Sequence, residues 1–369
     1  MKLHGKNVQR LFNFARNNLL NYESGARAYA AATKLVEIGR LQNRVGENYE
    51  PGQVFLHKIF GYRGIILFPW TAKLHDVDAY YKKDSSQHVP AKNGENGAPL
   101  FPAAGGGFVP PKTNLSQISL ESSATQTNYQ VLIDERDWPY MRVHKDDVCI
   151  LQKTSLLRMS LLPLSGFSHA SHEDILPYAP SESEPFKHNY FEQFFDVTQS
   201  DGWHMKQNAP LQAWRNRCLP YLKFSSVYRR TTHNVRITVI PYYLGYGLES
   251  QDGVGGHELP DKNKSYVWRY SIRLENFGEE RVVLREREWE IVDVYGRKEI
   301  HKGRGVIGTE PHLSRAEPAF QYSSFMYLRA PRGHMSGAYI MQREDGTLFR
   351  CTIPQFELDS LPSGEDDVL

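Results

Sequence analysis

Apolar and polar positions alternate through much of the second half of the chain. Val235, Ile237 and Val239 do so after Asn234, and Trp268, Tyr270, Ile272 and Leu274 do so again. A strand points successive side chains to opposite faces, so a period of two predicts strands with one buried face. Trp289, Ile291 and Val294, followed by Tyr295-Gly296-Arg297, predict a hairpin. Earlier, Gln53 to Phe60 reads as a strand, Gly61-Tyr62-Arg63-Gly64 as a turn, and Ile65 to Phe68 as a short buried strand. Tyr129 to Asp134 and Val148 to Leu151 add further strands, and Ser171 to Tyr178 closes this unit. The period changes over residues 181–227. Phe186, Tyr190, Phe191, Phe194 and Phe195 form one stripe; Leu211, Trp214, Cys218 and Leu222 form another at i, i+3, i+7 and i+11. Both predict helices of a connector packed against its neighbours.

Composition divides the chain. Residues 82–127 hold Asn, Gly, Pro, Ser and Ala with almost no core residues, including Gly105-Gly106-Gly107 and Pro110-Pro111. Such a segment buries too little apolar surface to order itself and reads as a disordered insertion. Residues 245–264 form a second polar, glycine-rich loop, and the tail from residue 361 is short and acidic. The expected organisation is therefore a presequence at 1–46, a β unit at 47–180 carrying the insertion, a helical connector at 181–227, a second β unit at 228–360 and a tail at 361–369.

Charge is uneven. Of 44 Lys/Arg and 42 Asp/Glu, residues 1–44 hold eight and two, which leaves 36 against 40 in the rest. A slightly acidic body has little nonspecific attraction for phosphates and argues against direct nucleic-acid binding. The first 22 residues carry Lys2, Lys6, Arg10 and Arg16 and no acid, with Leu3, Leu11, Phe12, Phe14, Leu19 and Leu20 between them. A basic, acid-free, amphipathic start reads as a mitochondrial transit peptide rather than an ordinary surface helix, with cleavage between Arg27 and Tyr49. No apolar run approaches the length of a membrane-spanning helix. Cys149, Cys218 and Cys351 are odd in number and widely spaced, which fits free thiols in a reducing compartment.

Gly303, Gly305 and Gly308 give Gly-x-Gly-x-x-Gly, a candidate nucleotide loop. That chemistry needs a strand before and a helix N-terminus after. Here a hairpin precedes, and Pro311 with more alternating sequence comes after, so tight turns in a β domain are the plainer reading. Asn276, Leu284, Arg287, Trp289, Ile291 and Gly296, the three glycines, Pro311, Leu313, Phe320, Tyr322 and Ser324 form one pattern. Leu328, Gly333, Met335, Gly337, Tyr339, Gly346, Phe349, Ile353, Pro354, Phe356 and Leu358 complete it. Over residues 234–358 this pattern resembles the ApaG family, which implies a β-sandwich of the immunoglobulin or fibronectin type. Phe325, where the family usually has Gly, and Ala316-Glu317-Pro318, in place of a Pro-Gly-Glu turn, depart from it. Both weaken the transfer of any small-ligand site.

Leu56 to Ile65, Tyr129 to Ile133 and Glu173 to Pro177 are similar to the YccV/HspQ family, a small β-barrel. The insertion falls between two of its strands, where lengthening costs little because closure entropy grows only logarithmically. The implied fold is mainly β: a YccV-like barrel, a helical connector and an ApaG-like sandwich. That order behind a basic presequence resembles one family of two-domain interaction proteins. The resemblance implies partners among replicative polymerase subunits, the sliding clamp, the primase-polymerase and the mitochondrial Clp-type unfoldase, in the matrix and the nucleus. No Gln-x-x-(Ile/Leu/Met)-x-x-aromatic-aromatic clamp motif occurs.

Catalytic chemistry finds little support. His169-x-x-His172 beside Glu173 and Asp174 is a weak metal pattern without a second cluster. There is no Gly-x-Ser-x-Gly elbow and no Cys-x-x-Cys pair. Catalytic residues, cofactor and metal are accordingly expected to be none, and the chain reads as a monomeric, non-enzymatic adaptor that offers sheet edges and turns to proteins. Tyr62 and Arg63, at a turn expected to face outward, and Arg285 and Arg287, in an alternating-charge stretch expected at a sheet edge, are its candidate contacts. The alternative is a pyrophosphate-binding module that uses the three glycines. If residues 1–22 direct import, the inward potential acts on their cations, worth about 2.3 kcal/mol per charge at 100 mV. Replacing Arg10 and Arg16 by Glu is expected to leave the protein outside mitochondria on fractionation; unchanged import overturns the transit reading.

Overall fold

The computed structural model describes residues 37–44, 46, 48–78, 124–141, 148–155, 158–181, 183, 185–199, 203–247 and 265–360. The basic start, most of the insertion, the second glycine-rich loop from residue 248 and the acidic tail lie outside them.

Among the described residues, eight strands form the first half: β1 (Gly39–Leu41), β2 (Val54–His57), β3 (Arg63–Asp76), β4 (Ala124–Ile133), β5 (Val148–Ser155), β6 (Arg158–Leu164), β7 (Phe167–Ser171) and β8 (Ile175–Pro180). Six of them make an antiparallel sheet in the order β1-β8-β2-β3-β4-β7. The sheet folds around Phe55, Tyr62, Ile66, Tyr129, Val131 and Ala170. Among the described residues no pairing joins β7 to β1, so the expected barrel is an open one. β5 and β6 pair only with each other. Two boundaries move. Gly39 to Leu41, within the expected presequence, pair with β8, and β4 starts at Ala124, within the expected insertion.

The connector differs from its expected helical form. Among its described residues, only α1 (Phe191–Phe194) and α2 (Ala209–Leu222) are helical, and between them β9 (Phe195–Thr198) and β10 (His204–Gln207) make a hairpin. Phe195-Asp-Val-Thr alternates and ends on β-branched residues, which suits a strand better than a helical turn. The second stripe fits a helix as expected. Asn208 caps α2 by accepting from the Leu211 amide at 3.2 Å, and Leu211, Trp214, Cys218 and Leu222 are all buried. Both stripes share a core with Leu67 and Trp70 of the first half and with Ile240, Tyr242 and Leu244 of the second. Cys218 and Cys351 are free, buried thiols.

The second half holds β11 (Ser226–Thr232), β12 (Val235–Gly247), β13 (Ser265–Asn276), β14 (Val282–Asp293), β15 (Lys298–Arg304), β16 (His312–Leu313), β17 (Ala319–Leu328), β18 (Arg332–Arg343) and β19 (Leu348–Asp359). One layer runs β11-β12-β13-β17 and the other β15-β14-β18-β19, with β16 also on β14. Ile237, Val239, Ile272, Leu274 and Tyr322 face Trp289, Ile291, Tyr339, Met341, Ile353 and Phe356 in a sandwich core. The fold is mainly β, as expected.

The halves share a sheet. β3 pairs with β4 over most of its length, with β2 at residues 63–65 and with β11 at residues 73–76. Gly64 and Ile65 face both β2 and β4, and Lys73 and Leu74 face both β4 and β11. β2 and β11 therefore succeed one another along the same edge of β3. The β3–β11 ladder is parallel, with Val227 opposite Leu74 and Tyr228 opposite His75.

Candidate functional site

The glycine loop is a turn that holds itself. β15 leaves β14 at the pair Glu286–Arg304, and the Gly305 amide donates back to the Arg285 carbonyl at 2.8 Å. Val306 and Thr309 exchange both backbone hydrogen bonds at 2.9 Å across Ile307 and Gly308. Those two residues have φ of +44° and +78°, which makes a type I′ turn. Ile307 is β-branched and strained there, and its side chain packs against the sandwich core. Gly305 has φ +56°, and a Cβ on it would lie 2.1 Å from the Thr309 carbonyl oxygen. The amides of Gly305, Val306 and Thr309 are thus spent within the chain. The turn leads into Pro311 and β16, so no helix N-terminus faces an anion.

Two predicted groups do meet at this loop. Arg287 donates from Nη1 to the carbonyl oxygens of Arg304 and Gly305 at 2.9 and 2.7 Å, and its guanidinium lies against Gly303. Arg285 donates to Gln342 Oε1 at 2.7 Å and to Glu310 Oε2 at 2.5 Å, and Glu310 also holds Arg304. Hydrogen bonds from Arg285 and Arg304 hold the Glu310 carboxyl below the usual range. The arginines therefore brace the turn. Their expected place at a sheet edge is corrected, because β14 lies between β15 and β18. Its alternating charges are matched across strands instead: Glu288 to Lys302 at 2.7 Å and to Arg350, and Glu290 to Lys298 at 2.8 Å.

Tyr62 and Arg63 are corrected too. Both are buried, at 4% and 7% exposure. The Arg63 side chain makes a two-pronged contact with Asp137, Nε to Oδ2 at 3.0 Å and Nη2 to Oδ1 at 2.8 Å, and its amide adds a third bond at 2.7 Å. Asp137 sits on a 3-10 turn (Glu135–Tyr140) whose start is capped by Asp134. Removing one partner of a buried pair strands the other charge at about 3–5 kcal/mol. A defect in an Arg63 variant would report folding before any partner. The turn signal was legible; the partner 74 residues away was not.

The four residues of the His169 to Asp174 pattern also separate. His169 Nδ1 bonds the Tyr242 hydroxyl at 2.9 Å, His172 Nδ1 the Tyr129 hydroxyl at 2.9 Å, and Glu173 accepts from Arg229 at 3.0 Å. Among the described residues no cluster of three His, Cys, Asp or Glu could hold a metal. Asp174 instead anchors a buried network that sequence reasoning missed. It accepts from Arg273 Nη1 at 2.7 Å and from Ser171 Oγ at 2.8 Å, and Arg273 Nε donates to Gln321 at 3.0 Å. Arg273 and Gln321 come from β13 and β17, so the pair crosses between the halves. Burial alone would push the Asp174 carboxyl up; Arg273 overrides it and holds the carboxyl well below the usual range.

His57 completes the network without charge. Its Nδ1 accepts from the amides of Ile59 and Phe60, both at 3.2 Å, and its Nε2 lies 3.7 Å from Asp174. Full burial lowers its pKa to about 3, outweighing the pull of the nearby Asp174 carboxylate, and Arg273 adds to the lowering by repelling an imidazolium.

Among the described residues, the β14–β15 hairpin is strongly exposed. Val294, Tyr295 and Ile300 are 56%, 70% and 59% exposed, and all of β15 except Gly303 is exposed. Among the described residues, the outer side of β15 pairs with no strand.

Comparison with known proteins places these features. The ApaG domain family matches residues 257–343. The human polymerase delta-interacting protein 2 is 40% identical over 85% of this chain and 76% of its own length. The mouse protein of the same name is 39% identical over the same shares. Protein ApaG of Rhodospirillum centenum is 37% identical over 36% of this chain and 94% of its own length.

Gly305→Val is expected to lower stability by about 1–3 kcal/mol in urea unfolding. Gly308→Ala meets no atom within 4 Å and is expected to cost only the positive-φ strain, about 1 kcal/mol. Equal stability of the Gly305 variant and the parent would contradict the steric role of that glycine. Stability should also depend on pH through His57. An unfolded imidazole titrates near 6.5, roughly, above the folded value of about 3 for His57. The unfolded chain therefore binds more protons between those values. The contribution of neutral His57 is complete above the upper value and is lost as pH falls towards the lower. The urea midpoint should drop as pH goes from about 7 to 4.5. His57→Asn, which keeps an acceptor oxygen for the two amides, should flatten that drop by up to about 1.4 kcal/mol per pH unit. Parallel curves for the two proteins would refute the assignment.

Proposed function

This chain belongs to the polymerase delta-interacting protein 2 family, and from that premise we propose that it works as a non-enzymatic protein–protein adaptor. A subunit of DNA polymerase delta is the first partner on this reading. The observation that carries it is the edge of β15, unpaired among the described residues and continuous with the exposed Val294-Tyr295 tip. An edge of this kind accepts an extended segment by strand addition, in which main-chain hydrogen bonds supply affinity and alternate side chains supply choice. Lys298, Ile300, Lys302 and Arg304 share one face of β15. The three cations are paired with Glu290, Glu288 and Glu310, so Ile300 is the apolar contact this face offers to an added strand. Lysines along the edge also discourage self-association, which a monomeric adaptor needs.

The glycine turn supports the same choice. The amides of Gly305, Val306 and Thr309 are committed to the chain, and no helix N-terminus follows, so the pyrophosphate-binding alternative lacks most of the setting it would use. The sliding clamp, the primase-polymerase and the Clp-type unfoldase belong to the same proposal as further partners, and the absent clamp motif ranks the clamp last. Residence in the mitochondrial matrix, with a nuclear fraction, is proposed on the basic, acid-free residues 1–22.

The test replaces Tyr295 by Ala and Ile300 by Lys together. Both side chains are exposed, so circular dichroism and melting should stay within about 0.5 kcal/mol of the parent. Loss of an aromatic anchor and an apolar contact should weaken binding of the polymerase subunit by about 2 kcal/mol, roughly 30-fold in titration. Unchanged affinity would move the contact off this edge. No binding of any polymerase delta subunit to the parent protein would sink the polymerase reading itself.

A further inference from the structure

A cavity of about 120 Å³ lies between the two halves, walled by Phe60, Tyr62, Trp138 and Met141 from the first and by Arg273 and Gln321 from the second. Protein interiors leave few spaces larger than a water molecule. Engineered cavities of about 150 Å³ admit a benzene ring, so this one is of ring size. It opens to solvent, and Phe60, Trp138 and Met141 of its wall are half-buried.

The aromatic walls are held by their own neighbours. The Phe60 ring lies 4.9 Å from the His57 ring and 5.3 Å from the Arg273 guanidinium. Tyr62 meets Phe55 edge-on at 6.3 Å. Trp138 follows Asp137, which the Arg63 side chain clamps, and meets His188 edge-on at 5.7 Å. A wall fixed in this way loses little freedom when something enters. Its chemistry favours an aromatic ring over an aliphatic group, because ring edges and faces attract one another and a thioether such as that of Met141 adds to the contact. Charge is unsuited to the space. Among the described residues, Arg273 is the one charged side chain of the wall, and Asp174 already holds it at 2.7 Å. An entering ion would be left without a counter-charge.

The 3-10 turn that brings Trp138 to the wall also leaves Pro139 and Tyr140 in solvent, Tyr140 at 56% exposure, just before Met141. A free ring would fill the cavity and leave these two uncovered. A ring carried on a peptide would bring its backbone across them, and interfaces draw their affinity from such an anchor seated in a pocket with apolar contact around it. We propose that this cavity is an anchor pocket for one phenylalanine-sized aromatic side chain of a partner protein. No residue of β15 lines it, so it stands or falls apart from the polymerase reading.

The test titrates the full chain, labelled with carbon-13 at the methionine methyls, with N-acetylphenylalaninamide. The chain has seven methionines, and the methyl signal lost in Met141→Leu assigns the one at the cavity. Saturable movement of that signal is expected, with a nuclear Overhauser effect from the ring of the probe to the same methyl. N-acetylalaninamide, which has the backbone without the ring, should bind at least about tenfold more weakly. N-acetylleucinamide should bind about threefold more weakly, and equal affinity for it would overturn the aromatic preference. Phe60→Ala removes one wall and should weaken binding of the phenylalanine probe about fivefold; an unchanged affinity would place the probe elsewhere. Absence of saturable movement with the phenylalanine probe would overturn the proposal. Toluene then tells whether the space takes a free ring only or water only. The parent titration needs no variant to fold.

Discussion

Asp174 and Arg273 meet at 2.7 Å with almost no solvent on either side chain, and each comes from a different half of the molecule. Two charges taken out of water repay the desolvation only when geometry and additional hydrogen bonds are good. Here Ser171 serves the carboxylate, Gln321 serves the guanidinium and Phe60 lies under it. The pair therefore dictates where β13 and β17 stand relative to β8 and the His57 turn. If the halves slid apart, a carboxylate and a guanidinium would each be left without their partner. The cavity and the uncharged state of His57 both depend on that fixed position.

The shared sheet works to the same end by different physics. Parallel pairing of β3 with β11 carries hydrogen bonds across the boundary, and the core around Trp214 and Tyr242 carries apolar contact across it. What the sequence presents as two domains and a linker is built as one body with three kinds of connection: a ladder, a core and an ion pair. The ApaG match covers residues 257–343 and says little about the joint, which lies outside it.

Legibility in the sequence tracks the range of the interaction. Trp268 to Leu274 alternate because one face of the strand enters the sandwich core while the other carries Arg269, Ser271 and Arg273, polar and also mostly buried, and that pattern predicts β13 directly. Leu211 to Leu222 predict α2 for the corresponding reason at helical spacing. Phe194 and Phe195 mislead because aromatics that are buried look alike in a helix and at the start of a strand, and here the chain changes from one to the other between them. Arg63 looks like a surface turn residue because Asp137 is remote in sequence, and Arg285 looks like an edge residue because strand order is invisible in one chain. The glycines are readable as turns; that Arg287 braces them from the next strand is not. Phe60 and Trp138 give no signal of their cavity, which exists only in three dimensions.

The succession of β2 and β11 along one edge of β3 bears on how the chain comes into being. Residues 73–76 acquire their neighbour on this edge only when Ser226 to Arg229 arrive, about 150 residues later in synthesis, which at roughly 5–20 residues per second is on the order of 10–30 s. For that time a nascent chain holds a strand with one open edge, and the apolar side that α2 will cover stays wet. Such an edge is a template for wrong pairing. The first half is therefore not a unit that can be released early, and whatever shelters an emerging chain must do so until residue 229 has passed.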